Sequence, residues 1–404
     1  MMKPTKANFL SAQLFILMVT LFSLYPSLSN GWTSWDDNIY VTDNPVITDI
    51  SIQNVKTVFT RVLDGSYAPL TLISYMIDYK IGGYDPAVYH RTNLLLHLCN
   101  ACLVFWLAYM LSGNVVAALV TGLLFGIHPM RVESVAWISG RKDVLSMFFF
   151  LISSISYLEY LRNPENKKWL TVSFVVFVCA LLSKIIVLTF PVILFLYDYS
   201  QKRHYTTAMV VEKIPFVLSA GALAFVGYFG QASIHAIKRG SNAAENIIVS
   251  LHGVVFYLEK FLFPVRLSNV YPYPLTLTPV FYLYAVLCIA AAFILWRMRK
   301  NELVLFGSLF YLVSLLPVLQ FIRFSKIFAA DRFTYFAYIG LFYIVGVYAS
   351  AAFGKLNKKI VYTALAAIVL TLAMITRDRC GVWGNNETLW KDMLSKYPEG
   401  MQSF

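Results

Sequence analysis

Long apolar runs recur from one end of this chain to the other, and most are long enough to cross a bilayer as a helix. Of the 404 residues, 58% are hydrophobic and only 13% are charged, about half the charged fraction of a soluble domain. The net charge of +12 is spread over the gaps between apolar runs rather than gathered in one patch. The sequence therefore predicts an all-α polytopic membrane protein and gives no support for a nucleic-acid partner.

The apolar runs predict about eleven membrane spans. They cover residues 9–28, 91–112, 115–127, 143–161, 169–182, 185–197, 214–229, 280–297, 303–322, 333–353 and 360–376. Basic residues concentrate in alternate connections, namely 1–8, 113–114, 162–168, 198–213, 298–302 and 354–359. Because cytoplasmic connections carry the excess of Lys and Arg, we expect these segments inside, the amino terminus inside and the carboxyl terminus outside.

One further apolar run, 247–263, is interrupted by His252, Glu259 and Lys260. A span at this position would move the basic cluster 297–300 to the outer side, against the charge pattern. We therefore expect this run to be re-entrant or to lie in the outer interface.

The predicted outer segments are 29–90, 128–142, 230–279, 323–332 and 377–404, and they carry the polar motifs of the chain. The longest, 29–90, has helical apolar spacing over 54–62 and a second amphipathic stretch that ends at Gly82-Gly83. We expect the first of these helices to lie along the membrane surface. Function is therefore predicted on the extracytoplasmic side.

Asp36 and Asp37 follow the first span directly. Charged residues at a membrane helix exit are costly unless they face water or a cavity, so a functional role is the first interpretation. The pair suits a general base, which must be deprotonated and close to the acceptor hydroxyl. It also suits a ligand set for a divalent cation, the only cofactor the sequence suggests. An ordinary solvated turn or helix cap is the alternative.

Two further clusters fall at the predicted outer level. His90, Asn93 and His97 share one helix face, where they would either line a site or hydrogen-bond between packed helices. Zinc would need more ligands at close spacing. The connection 126–143 carries six ionisable residues, which are His128, Arg131, Glu133, Arg141, Lys142 and Asp143. Its cations suit a phosphate emerging from the bilayer, with snorkelling ion pairs as the alternative.

Lys184, at a hairpin between two spans, and Asp331-Arg332, ahead of Tyr335, place further charges at the same predicted depth. None of the motifs of P-loop nucleotide hydrolysis, of a nucleophile elbow or of a zinc protease occurs in the chain. Nucleotide hydrolysis and triad catalysis therefore have no support.

Several motifs together resemble the transmembrane and tetratricopeptide-repeat O-mannosyltransferases. They are Trp35-Asp-Asp37, Pro69-Leu-Thr71, Gly83-Tyr-Asp-Pro86, His90-x-x-Asn93-x-x-x-His97, His128-Pro, Glu133-Ser-Val-Ala-Trp-Ile-Ser-Gly-Arg141-x-Asp143, Leu182-Ser-Lys184 and Ala330-Asp-Arg332-x-x-Tyr335. The resemblance runs along essentially the whole chain. It implies a GT-C-like fold, in which residues 1–376 form a transmembrane glycosyltransferase domain.

The resemblance implies an inverting transfer of a mannose-like hexose from a dolichyl- or undecaprenyl-phosphate donor to a hydroxyl of an extracytoplasmic protein or glycan. Asp36 is then expected as the base and Asp37 as its partner. The implied ligands of the donor phosphate are Arg141, Lys184, Arg332, Arg131 and Lys142. The implied lining residues are His90, Asn93, His97, His128, Glu133, Asp143 and Tyr335.

The chain departs from the family pattern at several points. Ala68 stands where animal members often show Arg, and Asp331 replaces a common Glu. The stretch after Lys184 is similar to bacterial members, which favours a bacterial inner membrane with a periplasmic site over the endoplasmic reticulum. Residues 377–404 resemble only the start of a tetratricopeptide repeat.

Two alternative functions are a flippase that moves a lipid-linked sugar without chemistry and a membrane scaffold. Paired broken helices in two related halves would favour the flippase.

Overall fold

The computed structural model describes residues 6–234, 242–274, 276–323 and 327–398. The helices are α1 Lys6–Leu24, α2 Ile52–Thr60, α3 Pro69–Gly82, α4 Pro86–Ser112, α5 Val115–Ile127, α6 Val132–Ala136, α7 Arg141–Arg162, α8 Lys168–Ser183, α9 Phe190–Ser200, α10 Thr207–Val211, α11 Ile214–Ser233, α12 Ala243–Leu262, α13 Pro279–Arg297, α14 Glu302–Leu315, α15 Thr334–Lys355, α16 Lys358–Cys380 and α17 Asn386–Lys396. Two short strands, β1 Tyr271–Pro272 and β2 Ile327–Ala329, pair antiparallel.

The all-α polytopic prediction is confirmed, but the count of eleven spans is not. Within the described ranges, seven helical segments are long and apolar enough to cross a membrane, and they are Ala7–Ser29, Pro86–Ser112, Ile138–Arg162, Thr207–Ser233, Pro279–Arg297, Asp331–Lys355 and Lys358–Trp383. The pair Val115–Ile127 and Pro129–Ala136, bent by 58°, would be an eighth. The other predicted runs form shorter apolar helices, because apolar composition does not distinguish a full span from a short helix inside a bundle.

Helix α12 occupies most of the run for which the sequence predicts a re-entrant or interfacial segment. It is 20 residues long and packs along α13, and it is not one of the long apolar segments. The predicted outer segment 230–279 is only partly described, since residues 235–241 and 275 lie outside the described ranges. The same holds for residues 399–404 of the predicted tail and for residues 1–5, which include Lys3.

The centre of the bundle is formed by α4, α5, α7, α14 and α15, which pack on one another. Helices α14 and α15 cross where Gly307 faces Gly340. A Cβ atom added at Gly307 would lie 2.6 Å from the carbonyl oxygen of Gly340. Small residues at such crossings let helix backbones approach closely, which is how membrane helices gain packing without a hydrophobic driving force.

Polar side chains concentrate at the two ends of the bundle. At one end, the connections 162–168 and 198–213 meet in an ion-pair network, in which Lys213 Nζ lies 2.6 Å from Asp198 Oδ2 and Lys167 donates to Tyr160 Oη. Both connections belong to the predicted inside set. The first loop, the 128–142 connection and the start of α15 lie at the opposite end, as the alternation of helices requires.

The first long connection contains the two helices that the sequence predicts. Helix α2 begins after Ser51, whose hydroxyl accepts from the Asn54 amide at 3.3 Å, and it buries Val58. Helix α3 begins at Pro69 and ends before Gly83, which has a φ of 60°. The Tyr75 hydroxyl of α3 donates to the Ile138 carbonyl at 3.0 Å, which fixes the loop on the 138–140 turn.

Candidate active site

A cavity of about 960 Å³ opens between the first loop and the helix ends of the bundle. Its polar wall contains Asp36, Asp64, Lys142, Asp143, Lys184 and Arg332 together with the aromatic rings of Trp35, Tyr40, Tyr67 and Trp137. Its apolar wall is formed mainly by residues 185–188, by α11 and by residues 316–322. Such a combination of one charged wall and one apolar wall suits a ligand with an anionic head and a hydrocarbon tail.

Two cations at the cavity are held from behind by buried carboxylates. Lys184 Nζ lies 2.6 Å from Asp143 Oδ1, with side-chain exposures of 19% for the lysine and 1% for the aspartate. Arg332 is paired with Glu133, with exposures of 14% and 1%. In both pairs the cation is the more exposed partner; Glu133 does not line the cavity and Asp143 lines it with only 1% of its side chain exposed, so the exposed surface is mainly positive. These pairs are poised to hold an anion.

Local structure explains where these two cations lie. Lys184 is an extended residue at the break between α8 and α9, and Thr71 of α3 donates to the carbonyl of the preceding Ser183 at 3.0 Å. Arg332 follows β2, and its backbone amide donates to Glu133 Oε2 at 2.7 Å. Both cations therefore lie at breaks between helices, at the end of the helix bundle.

The third charged pair has the opposite arrangement. Lys142 Nζ lies 3.5 Å from Asp36 Oδ2, and here the carboxylate is the more exposed partner, at 25% against 11%. The ammonium also sits 3.8 Å from the centre of the Tyr40 ring. Asp36 thus presents a carboxylate to the cavity beside a cation. A carboxylate in this position can accept a proton from a bound hydroxyl.

The neighbouring Asp37 is buried and used inside the protein. Its Oδ2 accepts the amide of Thr33 at 3.0 Å and the hydroxyl of the same residue at 2.9 Å. Its Oδ1 accepts the amide of Ser139 at 2.9 Å and that hydroxyl at 2.7 Å. Burial raises the pKa of the Asp37 carboxyl in spite of these four donors. Asp37, the predicted partner of the base, therefore links the first loop to the 138–140 turn by hydrogen bonds.

A divalent cation is the only cofactor that the sequence suggests. Both oxygens of Asp37 are occupied by donors within the protein, so the pair does not present two carboxylates to one ion. Within the part of the chain that the structure describes, no group of three or more His, Cys, Asp or Glu side chains is arranged to hold a metal. The residues present therefore do not fit the bidentate aspartate site considered from the sequence.

Two of the predicted phosphate ligands do not line the cavity. Arg141 is buried and donates to Asp78 Oδ2 at 2.6 Å, to the Tyr89 carbonyl at 2.9 Å and to Asn93. Arg131 is also buried and donates to the Thr334 hydroxyl at 2.6 Å. Both guanidinium groups join segments inside the protein, and neither lines the cavity.

The remaining predicted lining residues hydrogen-bond within the protein and stand away from the cavity. His97 Nδ1 lies 2.6 Å from the Tyr335 hydroxyl, and His128 Nε2 lies 3.1 Å from the Phe261 carbonyl. His90 Nε2 lies 3.4 Å from the Gly31 carbonyl, and Asn93 donates to the Trp137 carbonyl at 2.9 Å. These side chains hydrogen-bond mainly to backbone carbonyls of neighbouring segments, which is the alternative left open for the His90 cluster.

Sequence reasoning missed Asp64, a carboxylate at the roof of the cavity. Asp64 and Gly65 both have positive φ, 46° and 68°, in a tight turn closed by mutual hydrogen bonds of Leu63 and Ser66. Gln231 of α11 donates to the Gly65 carbonyl at 2.9 Å and fastens this turn to the apolar wall. Burial and the negative charge of Asp36 raise the pKa of Asp64. The Asp-Gly dipeptide was the signal for such a turn.

The residues that form the apolar wall could not be identified from the sequence. Ile185, Gly227, Leu319 and Ile322 meet there from separate parts of the chain. Each is one apolar residue among many, so only the tertiary arrangement identifies them as one surface.

Comparison with known proteins finds no family model that matches this chain. Among curated proteins, it is 34% identical over 221 residues to the protein O-mannosyl-transferase Tmtc2 of Drosophila melanogaster, which covers 50% of this chain and 24% of that protein. It is 37% identical over 105 residues to Tmtc1 of the same organism and 36% identical over 106 residues to human TMTC2. These two matches cover 26% of this chain and 12% and 13% of the relatives.

Solved structures with a similar arrangement include ArnT from Cupriavidus metallidurans bound to undecaprenyl phosphate, at 13% identity and a TM-score of 0.45, covering 98% of this chain and 76% of that one. An oligosaccharyltransferase from Archaeoglobus fulgidus gives 14% identity and a TM-score of 0.46, covering 98% and 58%. The matched part of this chain spans at most about a quarter of the length of the curated relatives named above. The sequence matches confirm the predicted resemblance: this chain is similar to the transmembrane and tetratricopeptide-repeat O-mannosyltransferases.

Proposed function

We propose that this chain transfers a sugar from a polyprenyl-phosphate donor to a hydroxyl group, with Asp36 as the general base. The acceptor oxygen attacks the anomeric carbon, and the bond from that carbon to the phosphate oxygen breaks. The polyprenyl phosphate leaves with the electron pair, and the acceptor proton passes to Asp36. A single displacement of this kind inverts the anomeric centre and needs one base and no covalent intermediate.

The observation that carries the proposal is the asymmetry of the three charged pairs. Lys184 and Arg332 expose their cations, whereas the pair of Asp36 with Lys142 exposes its carboxylate. The three pairs therefore offer one acceptor of protons and two holders of anions. Acceptor activation and leaving-group stabilisation require those two functions together.

The donor phosphate is assigned to Lys184 and Arg332, with Lys142 next to the reacting centre. A guanidinium carries five N–H donors, so Arg332 can bind a phosphate oxygen while its pair with Glu133 persists. The apolar wall along 185–188 and 316–322 would receive the first isoprene units. A lipid with a charged head would thus be held at the membrane surface, with its sugar beneath the Asp64 turn.

The names of the relatives favour a mannose-like hexose and a protein acceptor, and a glycan hydroxyl is the other candidate. The basic connections at the opposite end of the bundle favour a cavity on the extracytoplasmic side. For a bacterial chain that is the periplasmic face of the inner membrane, and for a eukaryotic chain it is the lumenal face of the endoplasmic reticulum.

The test is sugar transfer by the purified protein in detergent. Radiolabelled mannosyl-phosphoundecaprenol and its dolichol counterpart would be supplied with Ser/Thr-rich peptides and with glycan acceptors, with and without EDTA. We expect label on an acceptor, and an anomer-specific glycosidase should show inversion. Donor that binds but is not transferred to any acceptor, together with movement of the donor across reconstituted vesicles, would contradict the proposal and support the flippase.

A further inference from the structure

The helix that follows the last long span packs on the loop that carries Asp36. The amide of Ser34 donates to Asn386 Oδ1 at 2.5 Å. The amide of Gly31 donates to the Gly384 carbonyl at 2.8 Å. Residues 381–397 therefore adjoin the proposed site, although the sequence predicts for them only the start of a separate repeat.

Two tryptophan contacts extend this packing to the cavity wall. The rings of Trp35 and Trp390 meet edge to face, with centroids 5.6 Å apart. The rings of Trp137 and Trp383 stack, with centroids 5.7 Å apart and planes inclined by 28°. Trp35 and Trp137 both line the cavity, and Trp35 directly precedes Asp36. The position of the base is thus supported from outside the cavity by the last helix.

Helix α17 is itself firmly held. Asp392 bridges Arg379 at 2.7 Å and Lys396 at 2.5 Å, and Lys396 Nζ also donates to the Leu267 carbonyl at 2.7 Å. Met393 is buried in a small apolar cluster with Val270 and neighbouring residues. Because α17 is fixed at several points, it can fix the aromatic ring of Trp35 in turn.

We propose that Trp390 is a positioning residue for the reaction, and that it acts through Trp35 on Asp36. This inference rests on the proposed transfer activity. A base must lie within hydrogen-bond reach of the acceptor hydroxyl, and a misplacement of about 1 Å can cost a factor of ~100 in rate. Loss of the Trp390 ring removes this edge-to-face contact from Trp35, and the turn at Asp36 gains freedom.

The experiment compares Trp390→Ala, Trp390→Phe and the control Lys391→Ala, an exposed neighbour on the same helix. Steady-state transfer from radiolabelled mannosyl-phosphoundecaprenol to a Ser/Thr-rich peptide gives kcat and KM, and binding stoichiometry counts the competent molecules. We expect kcat per competent molecule to fall about 10- to 100-fold in Trp390→Ala, with donor KM within about threefold. Trp390→Phe should recover most of the rate, and Lys391→Ala should match wild type.

An unchanged kcat per competent molecule in Trp390→Ala would overturn the inference, even if less protein folds. If Trp390→Ala does not fold, Asn386→Ala decides, because it removes only the acceptor for the Ser34 amide. A severalfold fall in kcat supports the inference there, and no change refutes it. Failure of the proposed function is recognised separately, since wild-type protein would then transfer no sugar.

Discussion

Replacing Asp37 by Ala tests whether this residue stabilises the fold or takes part in the chemistry. The substitution removes the acceptor for two buried amides and two hydroxyls, on Thr33 and Ser139. Each buried donor left without a partner costs about 1–3 kcal/mol. The hydroxyls can rotate to other acceptors, so the two amides set the magnitude, at about 2–6 kcal/mol. Removing a carboxylate that is itself expensive to bury places the net loss in the lower half of that range.

Thermal unfolding of purified Asp37→Ala in detergent measures this loss. A loss of about 2–4 kcal/mol should lower Tm by roughly 2–5 °C, because the entropy of unfolding is about 2.1 cal/mol/K per residue and this chain has 404 residues. Asp49→Ala is the matched control, because Asp49 is an exposed carboxylate of the same loop that does not line the cavity, and its Tm should stay close to wild type. A Tm of Asp37→Ala equal to wild type would refute the hydrogen-bond account. Normal stability combined with lost transfer would place Asp37 in the chemistry instead.

Three further predictions follow from the cavity and the core. Lys184→Met should raise the donor KM about tenfold or more, and it should lower Tm because the buried Asp143 loses its partner. The double variant Lys184→Met with Asp143→Asn should recover Tm but not KM. Transfer kinetics and thermal unfolding of both variants test this. Asp64→Asn should raise Tm at neutral pH, because the raised pKa of Asp64 makes its charged form unfavourable to folding. That gain should shrink as pH falls and the native carboxyl becomes protonated, so a constant gain across pH would contradict it. Gly340→Ala should reduce the folded fraction on size-exclusion chromatography, whereas Gly354→Ala, in open space on the same helix, should not.

The helices were largely predictable because membrane helices must be apolar, and each predicted run overlaps a helix of the described chain. Their number as full spans was not predictable. Short helices such as α9 and α14 are as apolar as long ones, and only their place in the bundle tells whether they cross it.

The segments that form the candidate site were predictable, but the direction in which each side chain points was not. Arg141 and Lys142 are adjacent in the sequence, yet successive residues on a helix point about 100° apart. Arg141 therefore turns to the buried Asp78, and Lys142 turns to the cavity. The same ambiguity applies to Asp36 and Asp37, which differ in role because only one of them meets the donors of the 138–140 turn.

The contacts of α17 were outside the reach of sequence reasoning for a different reason. Trp35 and Trp390 lie near opposite ends of the sequence, and a single aromatic residue does not indicate which residue it will contact. Similarity to a repeat suggested a separate unit, whereas the structure packs this helix on the first loop. Long-range packing of this kind depends on the whole fold.

The most direct test of the central claim is the single-turnover rate of Asp36→Asn, measured together with its affinity for the donor. The substitution keeps the size of the side chain and removes its ability to take a proton. We predict that the donor still binds within a few-fold of wild type and that transfer falls by a factor of about 100–10,000, the usual contribution of a general base. Transfer by Asp36→Asn within a few-fold of the wild-type rate would contradict the assignment of Asp36 as the base.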